Sequence, residues 1–385
     1  MVKVLVLTRS TGEGHNRVAQ ALQLAFETRG HTCEVLDALW VVGKQRKVRD
    51  LPPGKVRHLG ADTASQLYGW TALKVPYLFG AAYTAGDIYA RTRVPSPIYL
   101  RNARWAQATH EFIEEHHFDV VIATHLFPQE TLSAVRRRFP SHTRYYAVLT
   151  DYSCTPFFAE PRLDGFFIPH PDMGDACLMY GLPLDWTYPT GIPVLNRFRQ
   201  TLDKAKARAI LGIPVDRPVF LVMSGGVGGL YTGRATDKLL ADGGERTHVV
   251  VLTGRREDQF TAMAGKYRDD PRVSVVPFTD RVPDYMAAAD VLVSKPGAVS
   301  STEAAVVGLP LVHTGAIPGG ETKNAKFFAD RGMSLYSPNP IEAARLAHWL
   351  LANPKQCQSM LAQQRHHIFP DGAERVVTQI EDAIL

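Results

Sequence analysis

The chain has 385 residues, too many for one hydrophobic core, because single cores stop growing at roughly 250 to 300 residues; we therefore predict two domains. Hydrophobic residues make up 45% and charged residues 21% of the chain, a composition that excludes a disordered protein. The formal net charge of +5 is compatible with nucleic acid, phosphate ligands or an anionic membrane, and it excludes none of them.

The N-terminal segment follows a β-α-β pattern. Residues 2–8 are apolar and β-branched, which predicts a buried strand and not a signal peptide. A glycine-bearing loop at 9–15 leads into a helical pattern at 16–29, and a second strand is predicted at 33–36. This order favours a parallel sheet covered by helices, with functional residues beyond the carboxyl ends of its strands.

An insertion then interrupts the pattern. Residues 43–60 are rich in Lys and Arg, and residues 67–99 are rich in Tyr, Trp and Phe. Basic charge next to aromatic rings is typical of a lipid interface, although solvated loops followed by core aromatics give the same pattern. No run of about 18 uncharged apolar residues occurs, so we expect a protein that is soluble or bound only to a membrane surface.

The remaining strands form two series. Short apolar runs separated by helix-length spacers are typical of parallel strands buried on both faces. They lie at 119–123, 144–149 and 165–168, and then at 219–223, 248–253, 273–278, 291–294 and 311–313. We place the domains at residues 1–195 and 196–385, and we expect the terminal helix to pack back on the N-terminal domain.

The cysteines are too far apart for a zinc site or a disulfide framework, because no CxxC pair is present. We expect reduced thiols that fill the core of a cytoplasmic protein. They are Cys33, Cys154, Cys177 and Cys357.

Two glycine-rich loops each follow a predicted strand. Residues 11–15, TGEGH, precede a helix whose N-terminus favours a polar or anionic group, although a simple tight turn would need the same residues. Residues 224–229, SGGVGG, let backbone approach a bound group closely. The first loop lacks the third glycine of a dinucleotide fingerprint and the second lacks the P-loop lysine, so neither motif is present.

The segment from Ser294 to Glu303, SKPGAVSSTE, carries the most information. A strand ends in a turn, and small hydroxyl residues open a helix that stops at Gly308. Hydroxyls and backbone N–H groups at such a helix N-terminus can hold a pyrophosphate, and a carboxylate one turn further can accept from two ribose hydroxyls. An ordinary N-cap with an acidic first turn remains the alternative.

Together these motifs resemble glycosyltransferase family 28, in the branch of monogalactosyldiacylglycerol synthases and bacterial processive diacylglycerol glucosyltransferases. SKPGAVSSTEAAVVGLPLV and IPGGETKNAKFF are similar to the family's KPGG-x-T-x-SEA helix and PGQE-x-x-N segment. STGEGH is similar to the family's GGGH loop, and VPSPIYLRNAR, ATHLFPQE and TDYSCTPFFAEPRLDGFFIPH extend the resemblance over nearly the whole chain. It implies the GT-B architecture, an α/β fold of two doubly wound Rossmann-like domains that face each other across a cleft.

Three residues depart from the family pattern. Glu13 replaces a glycine, Ala298 replaces the second glycine after KPG, and Gly320 stands where a sugar-contacting glutamine is usual. The identity of the sugar, glucose or galactose, therefore stays open, as do the number of sugars added and the oligomeric state.

The resemblance implies a single inverting displacement, in which an acceptor hydroxyl attacks the UDP-sugar and a β-glycoside and UDP are formed. His15 is our first candidate for the base, since an imidazole accepts a proton near neutral pH, and Asp151 is the competitor. We expect Gly14, His125 and His170 to bind the acceptor, although a lone histidine is more often structural.

The donor site is expected in the second domain. The residues predicted to bind the UDP-sugar are Gly225, Gly226, Phe278, Arg281, Lys295, Gly297, Ser300, Ser301, Thr302, Glu303, Gly319, Gly320, Glu321 and Asn324. Among them, Phe278 and Arg281 are assigned to uracil and Glu303 to ribose, and Phe278 is equally compatible with a core position. No cofactor and no metal is expected, because amides and a helix N-terminus take the place of a divalent ion.

The predicted partners are a UDP-sugar, diacylglycerol or another lipid acceptor, and an anionic membrane surface. No nucleic-acid module accompanies the basic stretch. We expect a cytoplasmic enzyme at the cytoplasmic face of the membrane. Three other functions stay open: an N-acetylglucosaminyl transferase acting on a lipid-linked cell-wall precursor, a UDP-sugar epimerase, and a non-catalytic UDP-sugar-binding subunit.

Overall fold

The structure is a computed structural model that describes residues 1–9, 13–43, 86, 89, 94–154, 160–224 and 231–384. The chain forms two compact units. The first contains Met1–Leu195, Pro318–Gly320 and Phe369–Leu385, and the second contains Asn196–Ile317 and Glu321–Ile368. The basic and aromatic stretches predicted to meet a lipid interface lie mostly outside the described residues.

Each unit is built on one six-stranded sheet in which all neighbouring strands are parallel. The strands of the first unit are β1 (Lys3–Thr8), β2 (Thr32–Asp37), β3 (Val120–Ala123), β4 (Arg144–Val148), β5 (Gly165–Ile168) and β6 (Thr187–Pro189). The strands of the second are β7 (Val219–Met223), β8 (His248–Leu252), β9 (Val273–Val276), β10 (Val291–Ser294), β11 (Leu311–His313) and β12 (Leu335–Tyr336).

In the described residues, helices lie between all consecutive strands except β4 and β5, and they cover the sheets, as parallel sheets require. They are α1 (Glu13–Thr28), α2 (Ala38–Gly43), α3 (Pro97–Asn102), α4 (Ala106–Glu115), α5 (Leu126–Arg138), α6 (Gly174–Met179), α7 (Lys204–Leu211), α8 (Thr232–Gly243), α9 (Glu257–Lys266), α10 (Val282–Ala288), α11 (Ala298–Val307), α12 (Gly320–Asp330), α13 (Pro340–Ala352), α14 (Pro354–His367) and α15 (Gly372–Ile384). In the described part of the chain, no helix is long and apolar enough to cross a bilayer.

The first sheet has the strand order β2-β1-β3-β4-β5-β6. Helix α1 buries Val18, Leu22 and Phe26 against it, and their spacing of four residues places them on one face of the helix. The terminal helix α15 packs beside α1 within the same unit, where Glu381 accepts from Nη1 of Arg29 at 2.9 Å. The order of this sheet changes direction between β1 and β3, which is where doubly wound sheets bind their ligands.

The second sheet has the strand order β12-β11-β10-β7-β8-β9, so its change of direction lies between β7 and β10. Valines of its central strands, among them Val222, Val251 and Val293, are fully buried in one apolar core. Continuous apolar runs predicted these strands because both of their faces are covered.

The sequence-based strand predictions are confirmed for the central strands. The predicted bounds of β7, β10 and β11 agree with the structure, and β9 ends two residues earlier than predicted. β6 and β12 were not predicted, because strands of three and two residues are too short to show a period.

Three of the cysteines are buried, as the sequence predicts, and Cys357 is half-buried. One feature was not predicted: Sγ of Cys154 lies 2.7 Å from Sγ of Cys177. This contact joins the loop after β4 to helix α6, and it lowers the pKa of the Cys177 thiol against the opposing effect of burial.

Candidate active site

The candidate base, His15, lies in the first turn of α1, directly after the loop that follows β1. Its Nδ1 is 2.8 Å from the carbonyl oxygen of Thr124, beyond β3, and 3.1 Å from Oγ1 of Thr150, beyond β4. Its ring therefore contacts residues that follow two neighbouring strands, at the position where the first sheet changes direction.

These contacts determine the protonation state of His15. A carbonyl oxygen only accepts hydrogen bonds, so Nδ1 carries the proton in the neutral ring and Nε2 keeps its lone pair. Burial lowers the pKa of His15 below its usual value, and the bond to Thr124 only partly opposes this, so the ring is neutral near pH 7. Among the described residues, no hydrogen bond to Nε2 is formed. His15 thus has the tautomer that a general base needs.

His125 stands next to His15, with the two ring centroids 4.7 Å apart in an edge-to-face arrangement. It caps helix α5, because its Nδ1 accepts from the backbone N–H of Phe127 at 3.2 Å. Its neutral ring therefore carries the proton on Nε2 and can donate there. Burial, followed by electrostatic repulsion between a protonated His125 and the His15 and Arg9 side chains, holds the pKa of His125 well below its usual range. The two histidines offer one acceptor and one donor.

Asp151, the competing base, follows Thr150 in the loop after β4 and is half-buried. Within the first unit, a Cβ placed on Gly320 would lie 3.9 Å from Oδ2 of Asp151. A side chain at position 320, such as the glutamine usual in the family, would therefore meet this carboxylate. Gly14 is half-buried in the first turn of α1, next to His15.

His170 lies two residues after β5, a strand that β4 separates from β3. Its ring is buried, and Nδ1 accepts from the backbone N–H of Asp172 at 3.2 Å. It caps a short 3-10 helix, Pro171–Met173, and its ring stacks on Phe369. The geometry favours a structural role for His170, and its predicted contact with the acceptor stays a prediction.

In the second unit, Tyr231 connects the ends of β7 and β10. Its hydroxyl donates to the carbonyl of Met223 at 2.6 Å and accepts from the backbone N–H of Lys295 at 2.9 Å. Gly315 has φ +61, and a Cβ there would come within 2.3 Å of the Tyr231 ring, so only glycine fits. No pattern in the sequence indicated a role for Tyr231. Gly225 and Gly226, both predicted to bind the donor, lie outside the described residues.

Two side-chain contacts tie the turn after β10 to helix α12. Nζ of Lys295 donates to Oε1 of Glu321, whose Oε2 accepts from the backbone N–H of Ile317. The amide of the fully buried Asn324 donates to the carbonyl of Pro296 at 3.3 Å. The structure therefore brings together three residues predicted to bind the donor, Lys295, Glu321 and Asn324.

Helix α11 begins after Gly297. The hydroxyl of Ser300 donates to the carbonyl of Gly297 at 3.0 Å, and that of Thr302 donates to Ala298 at 2.8 Å. Ser301 and Thr302 are fully buried, so the geometry favours a packing role for these two side chains. The free N–H groups of the first turn remain available to an anion, as at any helix N-terminus. Glu303 lies in the second turn and is 2% exposed.

A buried histidine that the sequence did not predict holds α11 in place. His313, at the end of β11, has Nε2 2.9 Å from Oγ of Ser301 and Nδ1 3.1 Å from Oγ of Ser334. Burial lowers its pKa to about 3, so the ring is neutral. The N-terminal turn of α11 is thereby fixed from inside the unit.

The pair assigned to uracil lies beyond the edge strand β9. Phe278 is 44% exposed, which excludes the core position that the sequence left open. The guanidinium of Arg255 stacks over its ring at 3.8 Å, a partner that the sequence did not indicate. Arg281 pairs with Asp284 at the start of α10, 3.0 Å away. An exposed aromatic ring stacked with a cation can accommodate a planar base.

Two family profiles match the chain. One, described as monogalactosyldiacylglycerol (MGDG) synthase, matches residues 54–194. The other, described as the glycosyltransferase family 28 C-terminal domain, matches residues 222–376. Together they span both units.

Similar proteins have been named processive diacylglycerol beta-glucosyltransferases. The Bacillus licheniformis protein is 23% identical over 380 residues, which is 98% of this chain and 94% of that protein. The Bacillus subtilis protein is 25% identical over 86% of this chain and 82% of its own length. The match to the Staphylococcus epidermidis protein is 23% identical over 63% of this chain and spans 61% of that relative's length.

Solved structures share the fold over nearly the whole chain. Acinetobacter baumannii MurG has a TM-score of 0.61 at 15% identity, covering 99% of this chain and 100% of MurG. Staphylococcus aureus MnaA with UDP has a TM-score of 0.65 at 13% identity, covering 99% and 96%. The Neisseria meningitidis UDP-GlcNAc 2-epimerase bound to UDP-GlcNAc has a TM-score of 0.60 at 13% identity, covering 99% and 100%. These likenesses establish a GT-B fold.

The buried His313 makes the stability of the protein depend on pH. The pKa of His313 is about 3 in the folded state and near 6.5 in the unfolded state. Between these two pH values the unfolded state therefore binds a proton at His313 and the folded state does not. The free energy of unfolding should therefore fall as the pH drops from 6.5 toward 3, by up to about 1.4 kcal/mol per pH unit.

Thermal unfolding of the parent and of His313→Gln between pH 7 and pH 4 measures this contribution. The variant should be less stable at pH 7 and should lose stability less steeply with acid. Equal slopes for the two proteins would show that His313 does not cause the acid sensitivity.

Proposed function

Because this chain belongs to glycosyltransferase family 28, we propose that it transfers a hexose from a UDP-sugar to the hydroxyl of diacylglycerol, giving a β-glycosyl diacylglycerol and UDP. The observation that carries the proposal is the state of His15, which lies where the first sheet changes direction. Its Nδ1 donates to the carbonyl of Thr124, and its Nε2 keeps a lone pair. The relatives' names favour glucose as the sugar.

In this mechanism His15 acts as the general base. Its Nε2 takes the proton of the acceptor hydroxyl while the oxygen attacks the anomeric carbon of the sugar, and the bond from that carbon to the diphosphate oxygen breaks. One displacement inverts an α-linked sugar to a β-glycoside. The proton on Nε2 of His125 can hold the acceptor oxygen in place, since the two rings are neighbours.

Asp151 is assigned as the alternative general base. Thr150, the residue before it, contacts His15, so the loop after β4 positions both groups. If the acceptor proton instead goes to Asp151, His15 would be needed only for positioning.

The second unit is assigned to the donor. The N-terminus of α11 supplies positive charge for the diphosphate. Lys295, which is ion-paired with Glu321, is assigned to the same site, and Glu303 is assigned to the ribose hydroxyls. Phe278, stacked with Arg255, offers a platform for uracil. Glu321 and Asn324 are assigned to the sugar.

We also propose an anionic membrane surface as a partner, at the cytoplasmic face. In residues 94–105, large apolar side chains stand exposed, among them Leu100 at 57% and Trp105 at 40%. The exposed Arg101 and Arg104 lie between them in the sequence. Arginine charge attracts anionic lipid, while apolar and aromatic side chains enter the headgroup region.

The direct test of the function is product formation. With UDP-glucose and vesicles that contain diacylglycerol, we expect a monoglucosyl diacylglycerol by mass spectrometry, and UDP release only when diacylglycerol is present. Parallel reactions with UDP-galactose and UDP-N-acetylglucosamine establish the sugar. A changed UDP-sugar formed without an acceptor would instead identify an epimerase, and binding of UDP-sugar without turnover would identify a non-catalytic subunit.

We expect full activity in excess EDTA. In this mechanism the α11 N-terminus stabilises the leaving diphosphate, so no divalent ion is required. Initial rates with and without EDTA measure this. Activity that disappears in EDTA and returns with magnesium or manganese would assign the diphosphate charge to a metal ion.

We expect His15→Ala to lower the rate by roughly 100 to 10,000-fold, the usual contribution of a positioned base, with UDP-sugar affinity unchanged. The parent's rate should fall at low pH as His15 is protonated, and this limb should disappear in the variant.

Because His15 also contacts Thr124 and Thr150, the variant must keep its thermal midpoint before the kinetics are interpreted. Asp151→Asn is the matched comparison. A stable His15→Ala protein that turns over like the parent, beside an inactive Asp151→Asn protein, would identify Asp151 as the base.

A further inference from the structure

An apolar cavity of about 350 Å³ lies in the first unit, at the carboxyl edge of the sheet. Leu7 at the end of β1, Leu39 and Val41 in α2, and Phe127 in α5 contribute to its wall. Its volume falls within the usual range of ligand pockets, roughly 300 to 1,000 Å³. The mechanism proposed above does not use this space.

The cavity begins next to the candidate base. His15 and His125 are in ring contact, and the ring of His125 is 4.8 Å from that of Phe127, which lines the cavity. If the acceptor hydroxyl lies at Nε2 of His15, the apolar cavity is therefore close to the reacting end of the acceptor. The rings of His125 and Phe127 lie between them.

The cavity also reaches the surface assigned to the membrane. Ile98 and Trp105 line it, and both side chains are partly exposed, at 39% and 40%. Arg101 lines it as well. The same short segment therefore forms part of the proposed lipid contact and part of the cavity wall.

The cavity contains one buried charge, and that charge is paired. Nη1 of Arg9 lies 3.5 Å from Oδ1 of Asp37, and both side chains are almost fully buried. The pair needs no charged ligand for compensation, and the other lining residues named above are mostly apolar. An uncharged apolar chain fits this lining better than an anion or a sugar does.

Two carboxyl groups, those of Glu130 and Glu160, fix the position of α3 in the cavity wall. Oε2 of Glu160 accepts from the hydroxyl of Ser96, which caps α3, at 2.8 Å. Oε2 of Glu130 accepts from the amide of Asn102 at the end of α3. Burial raises the pKa of Glu130 to about 8, so this carboxyl is neutral at pH 7 and can share a proton with Glu160. The cavity is thus shaped before a ligand arrives.

We propose that this cavity binds one fatty acyl chain of the acceptor lipid, while the acceptor hydroxyl lies at His15. This assignment rests on the proposed function, and it identifies the acyl chain as a part of the acceptor that the enzyme recognises. The second acyl chain has no place in it and stays with the membrane.

The test uses short, water-soluble diacylglycerols of increasing acyl length, with UDP-glucose as donor. In the parent, kcat/KM should rise by up to about 4-fold per added methylene, the ratio that corresponds to about 0.8 kcal/mol per buried CH₂. The rise should stop once the chain fills the cavity.

Two variants fill the cavity from half-buried positions in its wall, Leu39→Trp and Ala38→Phe. Each should lower the slope with chain length and leave the KM for UDP-glucose unchanged. Leu24→Trp is the matched control, because Leu24 is 54% exposed on α1 and does not line the cavity. It should keep the parent's slope.

A folded Leu39→Trp or Ala38→Phe enzyme with the parent's slope would overturn the cavity assignment and leave the proposed function standing. Rates in the parent that do not depend on chain length would overturn the assignment in the same way. Failure of the parent to glycosylate any of these acceptors would overturn the proposed function, and the cavity's role with it.

Discussion

The hydrogen bond between Nδ1 of His15 and the carbonyl of Thr124 is the contact on which the chemistry proposed for the first unit depends. Parallel strands place all their carboxyl ends at one edge, so the loops after β1, β3 and β4 meet there. The bond uses this proximity to orient the imidazole and to fix its tautomer. Without it, the ring would be free to carry its proton on Nε2, the atom that the proposed mechanism needs as the proton acceptor.

In the second unit, other side chains likewise use hydrogen bonds to fix the elements around the candidate site. Tyr231 joins the ends of β7 and β10 by hydrogen bonds, and His313 fixes α11 through Ser301. Both rings are buried, and the hydrogen bonds that they make inside the unit offset the cost of burial. A helix N-terminus held in this way can face an anion without reorganising, which is what electrostatic stabilisation of a leaving group requires.

Sequence patterns predicted the fold and the family well and the individual contacts less well. The central strands were predictable because burial on both faces leaves continuous apolar runs, and the motifs around Lys295 and Glu303 correctly indicated family 28. The roles of Tyr231, His313 and Arg255 were not predictable, since each depends on a partner far away in sequence. A lone buried histidine has no local pattern, and only the fold reveals its neighbours.

Helices α1 and α11, which begin where the two sheets change direction, differ in charge, and this difference explains why donor and acceptor are assigned to different units. Helix α1 begins with Glu13, and a carboxylate in the first turn already satisfies the positive end of the helix, which disfavours a diphosphate there. Helix α11 has no acidic residue in its first turn, and Lys295 lies just before it. This difference favours the diphosphate charge in the second unit, and it agrees with the proposal that the neutral His15, next to Glu13, meets an uncharged hydroxyl. An apolar cavity near that histidine is consistent with an acceptor that is mostly hydrocarbon.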